Sequence, residues 1–264
     1  MSARQAGREA FTKHLFAREE LQRCGGALLG LALAPLFGLG SVLRRARVLH
    51  PVGMVCGAEV TPVATGSARK LAERLAGPAL LRFSAALWKR GAKPDVFGCA
   101  IRFTELPLSP NVRPYDQDLL LATPQRPWSA PAAFLTTRHR DFLHNHYFSL
   151  SPWTAAELGR VDFRISVHNA AAGSGTREER LALAAQSGRC SLLLEWAPYS
   201  GAWRRPQATS FAPLVRLSLT GLPELDQQVL RFNPFHGGRG VSPVGFINAM
   251  RRAPYPVSQT LRPS

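Results

Sequence analysis

From Val161 to Val167 the chain reads Val-Asp-Phe-Arg-Ile-Ser-Val, apolar and polar residues in strict alternation. Successive side chains of a strand point to opposite faces, so such a run buries one face and leaves the other polar. A strand of this kind needs neighbours, and the sequence supplies them. Val48 to Thr61 is β-rich and punctuated by glycine, and Val96 to Thr104 alternates around Gly98. Gln117 to Thr123, Ser191 to Trp196 and Leu214 to Leu219 are further short apolar runs. Ala79 to Leu87 suits strand or helix equally. Helices interrupt the series at Gly66 to Ala76, with Leu71, Leu75 and Ala76 at helical spacing, and at Thr176 to Ser187. The second has Glu178 and Glu179 near its start and Gly188 just past its end. Trp128 to Trp153 reads as a proline-bounded, aromatic-rich connection, and the tail from Pro243 as a loop followed by a helix. Together these elements predict an α+β fold: an antiparallel barrel with flanking helices.

The 264 residues are 45% hydrophobic, enough to bury a substantial core. The formal charge of +16 raises the question of nucleic acid. The arginines that carry most of it are scattered in ones and twos, as at Arg138 and Arg140 or Arg204 and Arg205. No recognition motif accompanies them, so the charge predicts a solvated surface and no nucleic-acid partner. Cys24, Cys56, Cys99 and Cys190 stand far apart, mostly in apolar segments, and are expected as buried free thiols.

The first 23 residues form a mixed-charge amphipathic piece whose Glu9, Glu19 and Glu20 do not suit a signal peptide. Cys24 to Leu43 is then almost purely apolar, but Pro35 and five glycines interrupt it. The expectation is an N-terminal apolar helix, packed on the domain or lying in a membrane surface, rather than a span. Residues 1–44 are read as an N-terminal helical extension and 45–264 as the barrel domain. The expected compartment is the cytoplasm, with peripheral membrane contact through Cys24–Leu43 left open.

Arg47 to His50, Arg82 to Ser84, Pro94 to Phe103, Asp118 to Pro124, Tyr147 to Ser149 with Val161 to Arg164, Phe232 to His236, and Asn248 to Tyr255 follow one another in an order that resembles seven segments in the core of haem catalases and their shorter catalase-related members. Arg47-Val48-Leu49-His50 resembles the R-V-V-H that opens the first strand of that barrel, and Arg82-Phe83-Ser84 the R-F-S of the second. Asp95 to Phe103 resembles D-P-R-G-F-A-V-K-F, and Asp118 to Pro124 stands where the family has D-L-V-G-N-N-T-P. Tyr147-Phe148-Ser149 with Val161 to Arg164, Phe232-Asn233-Pro234-Phe235-His236, and Asn248 leading to Arg251 and Tyr255 complete the set. The likeness covers roughly residues 45 to 262.

The resemblance implies a catalase-like barrel holding haem b. Tyr255 is the implied axial ligand of the iron, since a phenolate suits the ferric ion. Arg251, four residues earlier on one helical face, would hold that phenolate ionised. His50 is the implied catalytic residue on the opposite side, because imidazole both accepts and returns a proton near neutrality. Arg47 and Arg82 are the implied partners of the haem propionates; their alternative is an exposed position at a strand end. One departure stands out: Leu121-Ala122-Thr123 is a residue shorter than the family segment and lacks its asparagine, leaving Thr123 as the hydroxyl at hand. The implied function is consumption of hydrogen peroxide or of organic or lipid hydroperoxides. The rival is a barrel without turnover that serves as a lipid- or membrane-associated binding module. His144-Asn145-His146 spells two potential metal ligands but no third, and Gly237-Gly238-Arg239-Gly240 lacks the context of a phosphate loop.

Overall fold

A computed structural model describes residues 52–88, 93–170, 174–201, 210–227, 229–245 and 248. The chain divides into two compact units, Arg47–Pro243 with Ser264, and Met1–Ala46 with Val244–Pro263. In the second, Asn248 Nδ2 donates to the Val244 carbonyl at 2.9 Å. The Cys24–Leu43 run and the tail that carries Arg251 and Tyr255 lie outside the described residues. Every strand and helix named below belongs to the first unit.

The strands are β1 (Val52–Pro62), β2 (Gly77–Ala85), β3 (Phe97–Phe103), β4 (Gln117–Ala122) and β5 (Tyr147–Phe148). They continue as β6 (Trp153–Ala155), β7 (Gly159–Asn169), β8 (Ser191–Pro198), β9 (Ala212–Gly221) and β10 (Val241–Pro243). All pairings are antiparallel, and β1-β2-β3-β4-β5-β7-β8-β9 closes on itself through β9 and β1. This is an eight-stranded closed barrel, with β6 and β10 as a short extension of β7. Closure removes the unpaired edges that an open sheet would present.

Period-two alternation decides what the barrel holds. Val161, Phe163 and Ile165 of β7 point inward, as the pattern predicts, and join one core with Cys56 and Val60 of β1, Leu81 and Phe83 of β2, and Phe97, Cys99 and Ile101 of β3. Phe97 and Phe142 stack with centroids 4.7 Å apart, and Phe83 meets the Tyr147 ring edge-on at 5.7 Å. The Tyr147 hydroxyl, cut off from water, donates to the Phe142 carbonyl at 2.7 Å. The interior is therefore a packed core, in which each fully buried Leu or Phe contributes about 1.5–3 kcal/mol.

Two helices add to the same core. A 3-10 turn at Gly66–Ala68 leads into α1 (Arg69–Leu75), whose Leu71, Ala72 and Leu75 are wholly buried. The third, α3 (Arg177–Gln186), follows α2, a shorter helix over Ala130–Thr136, and buries Leu181 and Ala185. Thr176 caps α3: its Oγ1 accepts from Glu179 N at 3.2 Å, while Glu179 Oε2 accepts from Thr176 N at 2.8 Å. Among the described residues no helix is long and apolar enough to cross a membrane.

Three expectations change. The Ala79–Leu87 run resolves as strand as far as Ala85, set by its pairing with β1 and β3. The Trp128–Trp153 connection contains α2 and β5: Pro131 sits in the first turn, where a missing N–H costs nothing, and β5 is two residues long, too short to show a period. The polar positions of the Val161–Val167 run are buried or half-buried rather than exposed. Asp162 is buried and takes Arg126 through bonds of 2.8 and 2.6 Å, and Arg164 pairs across the sheet with Glu195.

Cys56, Cys99 and Cys190 are free and buried, as expected. Burial pushes the Cys56 thiol up to about 12 and Cys190 to about 11, with Cys99 raised well above its ordinary value. Their thiolate fraction at pH 8 is accordingly very small. In the native protein these three thiols should resist iodoacetamide and become fully labelled after denaturation, as read by peptide mass spectrometry. Rapid native labelling of Cys99 would show that the core opens.

Candidate functional site

The outward face of β1 to β4 is organised in rows set by the strand register. Gly57, Leu80, Arg102 and Asp118 stand toward one end; Val55, Arg82, Ala100 and Leu120 form the middle row; Gly53, Ser84, Gly98 and Ala122 form the last. Apart from the exposed Glu59 beyond these rows, most of this face is buried as well.

The first row is covered by the segment from Leu225 to His236. Leu230 and Phe232 pack against Val55 and Leu80, with Ala100, Leu108 and Leu120 alongside. An ion pair fastens the cover. Arg102 Nε and NH2 donate to the two Asp118 oxygens at 2.8 and 2.9 Å, both side chains wholly buried. Asp118 Oδ2 also accepts from Asn233 N at 2.8 Å and lies 3.0 Å from His236 Nδ1, while Arg102 donates to the Pro110 and Arg231 carbonyls. Phe232 lies 5.1 Å from the guanidinium carbon. Two buried charges are tolerated because both are hydrogen-bonded on several sides. This explains the Phe232-Asn233-Pro234-Phe235-His236 motif: ring, amide N–H and imidazole each meet the pair.

The last row is different. Four small residues, two of them glycine, lie side by side and leave a flat ledge where larger side chains would stand. Arg82 reaches over it from the middle row. A Cβ built on Gly53 would stand 2.7 Å from the Arg82 guanidinium carbon and 2.5 Å from the Phe83 carbonyl, so glycine is what admits the guanidinium there. Ser84 Oγ lies 3.5 Å from the Gly98 carbonyl.

These placements bear on the residues singled out by sequence. Arg82 sits mid-strand and only 7% exposed, which overturns the alternative of an exposed strand-end arginine. Arg47, His50, Arg251 and Tyr255 lie outside the described residues. Thr123 is already engaged: its Oγ1 accepts from Phe97 N at 3.2 Å and from Thr137 Oγ1 at 2.9 Å. Leu121 points into the core, so Ala122 is the β4 residue in the row, and it has no side-chain hydrogen-bonding group. Among the described residues no three His, Cys, Asp or Glu side chains form a metal cluster. His144 is instead held by Asp141 at 2.8 Å. The barrel interior is filled, so a large planar ligand would have to lie outside it. Sequence reasoning found Arg82 but missed Asp118, Arg102 and the row, whose signal is spread over four strands and emerges only from the register.

Two predictions follow from this geometry. Asp118→Asn leaves Arg102 buried without its counter-charge and should cost about 3–5 kcal/mol in urea unfolding. Gly53→Ala should destabilise by about 1–3 kcal/mol and displace Arg82, visible as a changed local hydrogen-exchange pattern at the ledge.

Comparison with known proteins agrees on the architecture. A fungal catalase superposes with a TM-score of 0.58 at 15% sequence identity, over 85% of this chain and 62% of its own. A bacterial catalase does so with a TM-score of 0.60 at 14% identity, over 85% of this chain and 59% of its own. The chain thus spans about three fifths of the length of these catalases, and the fold is catalase-like. No protein-family model matches the sequence. No curated protein matches it either.

Proposed function

We propose that this protein is a haem-dependent oxidoreductase that consumes hydrogen peroxide or organic hydroperoxides. The observation that carries the reading is the buried ledge of Gly53, Ser84, Gly98 and Ala122 beside Arg82, on the outer face of a catalase-like barrel. Bound haem b would supply the iron redox chemistry that divides the O–O bond. The chain's own residues would do the rest. Tyr255 would hold the iron through its phenolate, and Arg251 would be the cation that lowers the basicity of that oxygen. Arg82 and Arg47 are assigned to the carboxylate arms, where a guanidinium fork makes two parallel bonds.

His50 is assigned the proton transfer. It would take the proton from one peroxide oxygen and give it to the other, so that the leaving group departs as water or an alcohol; the two electrons that this cleavage takes from the site would be restored by a second peroxide or by a reducing co-substrate. The row has an alanine where an amide would otherwise orient a small peroxide. That favours bulkier hydroperoxides, which an apolar wall can position by contact.

The same alanine, together with the engaged Thr123 hydroxyl, supports a second reading: a barrel that binds an apolar ligand without turnover, at a membrane or away from it. Absorption spectroscopy of the purified protein, reconstituted with haem, separates the two. The proposed enzyme should show a Soret band that Tyr255→Phe abolishes or strongly shifts. His50→Gln should keep the band and slow hydroperoxide consumption by about a hundredfold or more. A protein that stays colourless after reconstitution supports the binding module and ends the enzyme reading.

A further inference from the structure

On the surface beside the end of α2 there is a groove of about 530 Å3 whose charged lining is Arg138, Arg140 and Arg180, His139 and His144, and Asp141. Its negative groups are already answered. Asp141 Oδ1 accepts from Leu143 N at 2.8 Å, and Asp141 Oδ2 lies 2.8 Å from His144 Nδ1 and 3.4 Å from Arg180 NH1. At the end of α2, the Ala132 and Ala133 carbonyls accept from Thr136 Oγ1 and Thr137 N. Arg138 and Arg140 have no carboxylate partner among the described residues. His139 Nδ1 is buried at the same place without a hydrogen-bond partner.

The loop that carries these groups is fixed. Asn145 Oδ1 accepts from Arg138 N at 2.8 Å, while its Nδ2 donates to the carbonyls of Arg138 and Asp141 at 3.2 and 2.6 Å. Tyr147, two residues on, is locked in the core. Arg180 is braced from α3, its Nε donating to the Gly175 carbonyl at 3.1 Å. The positive groups therefore rise from a rigid base, which lowers the ordering cost of holding a ligand. Three guanidiniums against one spent carboxylate leave an excess of two positive charges before either histidine is protonated.

We infer that this groove binds a phosphate group, with Arg138 and Arg140 as its principal partners and Arg180 and His144 on its flank. A phosphate dianion spreads its charge over three or more oxygens, enough to meet two guanidinium forks at once, whereas a carboxylate offers two. Because the arginines are exposed, binding should weaken as salt rises. The site is separate from the ledge and does not depend on haem.

The test uses the full chain and titrates inorganic phosphate, then phenyl phosphate, by calorimetry at constant ionic strength against chloride. Saturable binding is expected. Replacing both arginines, Arg138→Gln with Arg140→Gln, should weaken it by about tenfold or more, with an unchanged circular dichroism spectrum. Arg140→Glu alone changes an exposed side chain and serves as the second variant should the double one fold poorly. A parallel sedimentation assay uses phosphatidylcholine vesicles with and without phosphatidic acid. Retention by phosphatidic acid that the variants lose identifies a lipid headgroup as the source; phenyl phosphate binding without vesicle retention identifies a soluble phosphoester. No saturable binding of either probe, or binding that both variants keep, overturns the inference.

Discussion

Four neighbouring strands, β1 to β4, must be buried on both faces, and most of what is unusual in this sequence answers that demand. A barrel strand with water outside can place any polar residue there. Here, Arg82 apart, the outward positions in the three rows of β1 to β4 use three solutions: small residues, apolar residues that meet a covering segment, and a charge pair with nearly every lone pair and proton used. The Arg102–Asp118 pair is the costliest of these and the most connected, since it meets Asn233, His236 and two further backbone carbonyls. Such a pair adds little net stability over an apolar one. What it adds is position, because the Leu225–His236 segment can satisfy Asp118 in one register only.

That cover stops short of the last row. Where it ends, the side chains shrink to glycine, serine and alanine, and the Arg82 guanidinium occupies the space that Gly53 leaves. The transition within two rows from a fastened cover to a line of small residues beside a buried guanidinium is the structural reason for looking for chemistry there. The likeness to catalases supports the architecture; the assignment of haem and of proton transfer rests on residue chemistry and on the ordered segments that resemble that family.

The sequence made the barrel legible wherever alternation ran for five residues or more, as in Val161–Val167 and Val96–Thr104. It failed in the Trp128–Trp153 stretch, where a two-residue strand has no period and a proline disguises a helix start. It also misjudged the polar half of β7, since alternation tells which residues leave the core but not what covers them from outside. Arg126, thirty-six positions from Asp162, is the missing partner. At the site, the family resemblance singled out Arg82 as a carboxylate partner and the structure places it buried in mid-strand, while the ledge was invisible because its members are scattered across strands. His144-Asn145-His146 drew the eye for its histidines. The amide between them does the fixing, and the neighbouring Arg-His-Arg run at 138–140 carries the charge.

A last consequence concerns the sulfurs. Oxidants attack cysteine through its anion, and the anion is what a dry core suppresses. Cys56, Cys99 and Cys190 are held as neutral thiols among Leu and Phe side chains, which makes these three sulfurs poor targets for an oxidant. A protein handling hydroperoxides at its outer wall would in this way be spared slow self-inactivation, its most vulnerable atoms sealed off from the reagent it meets.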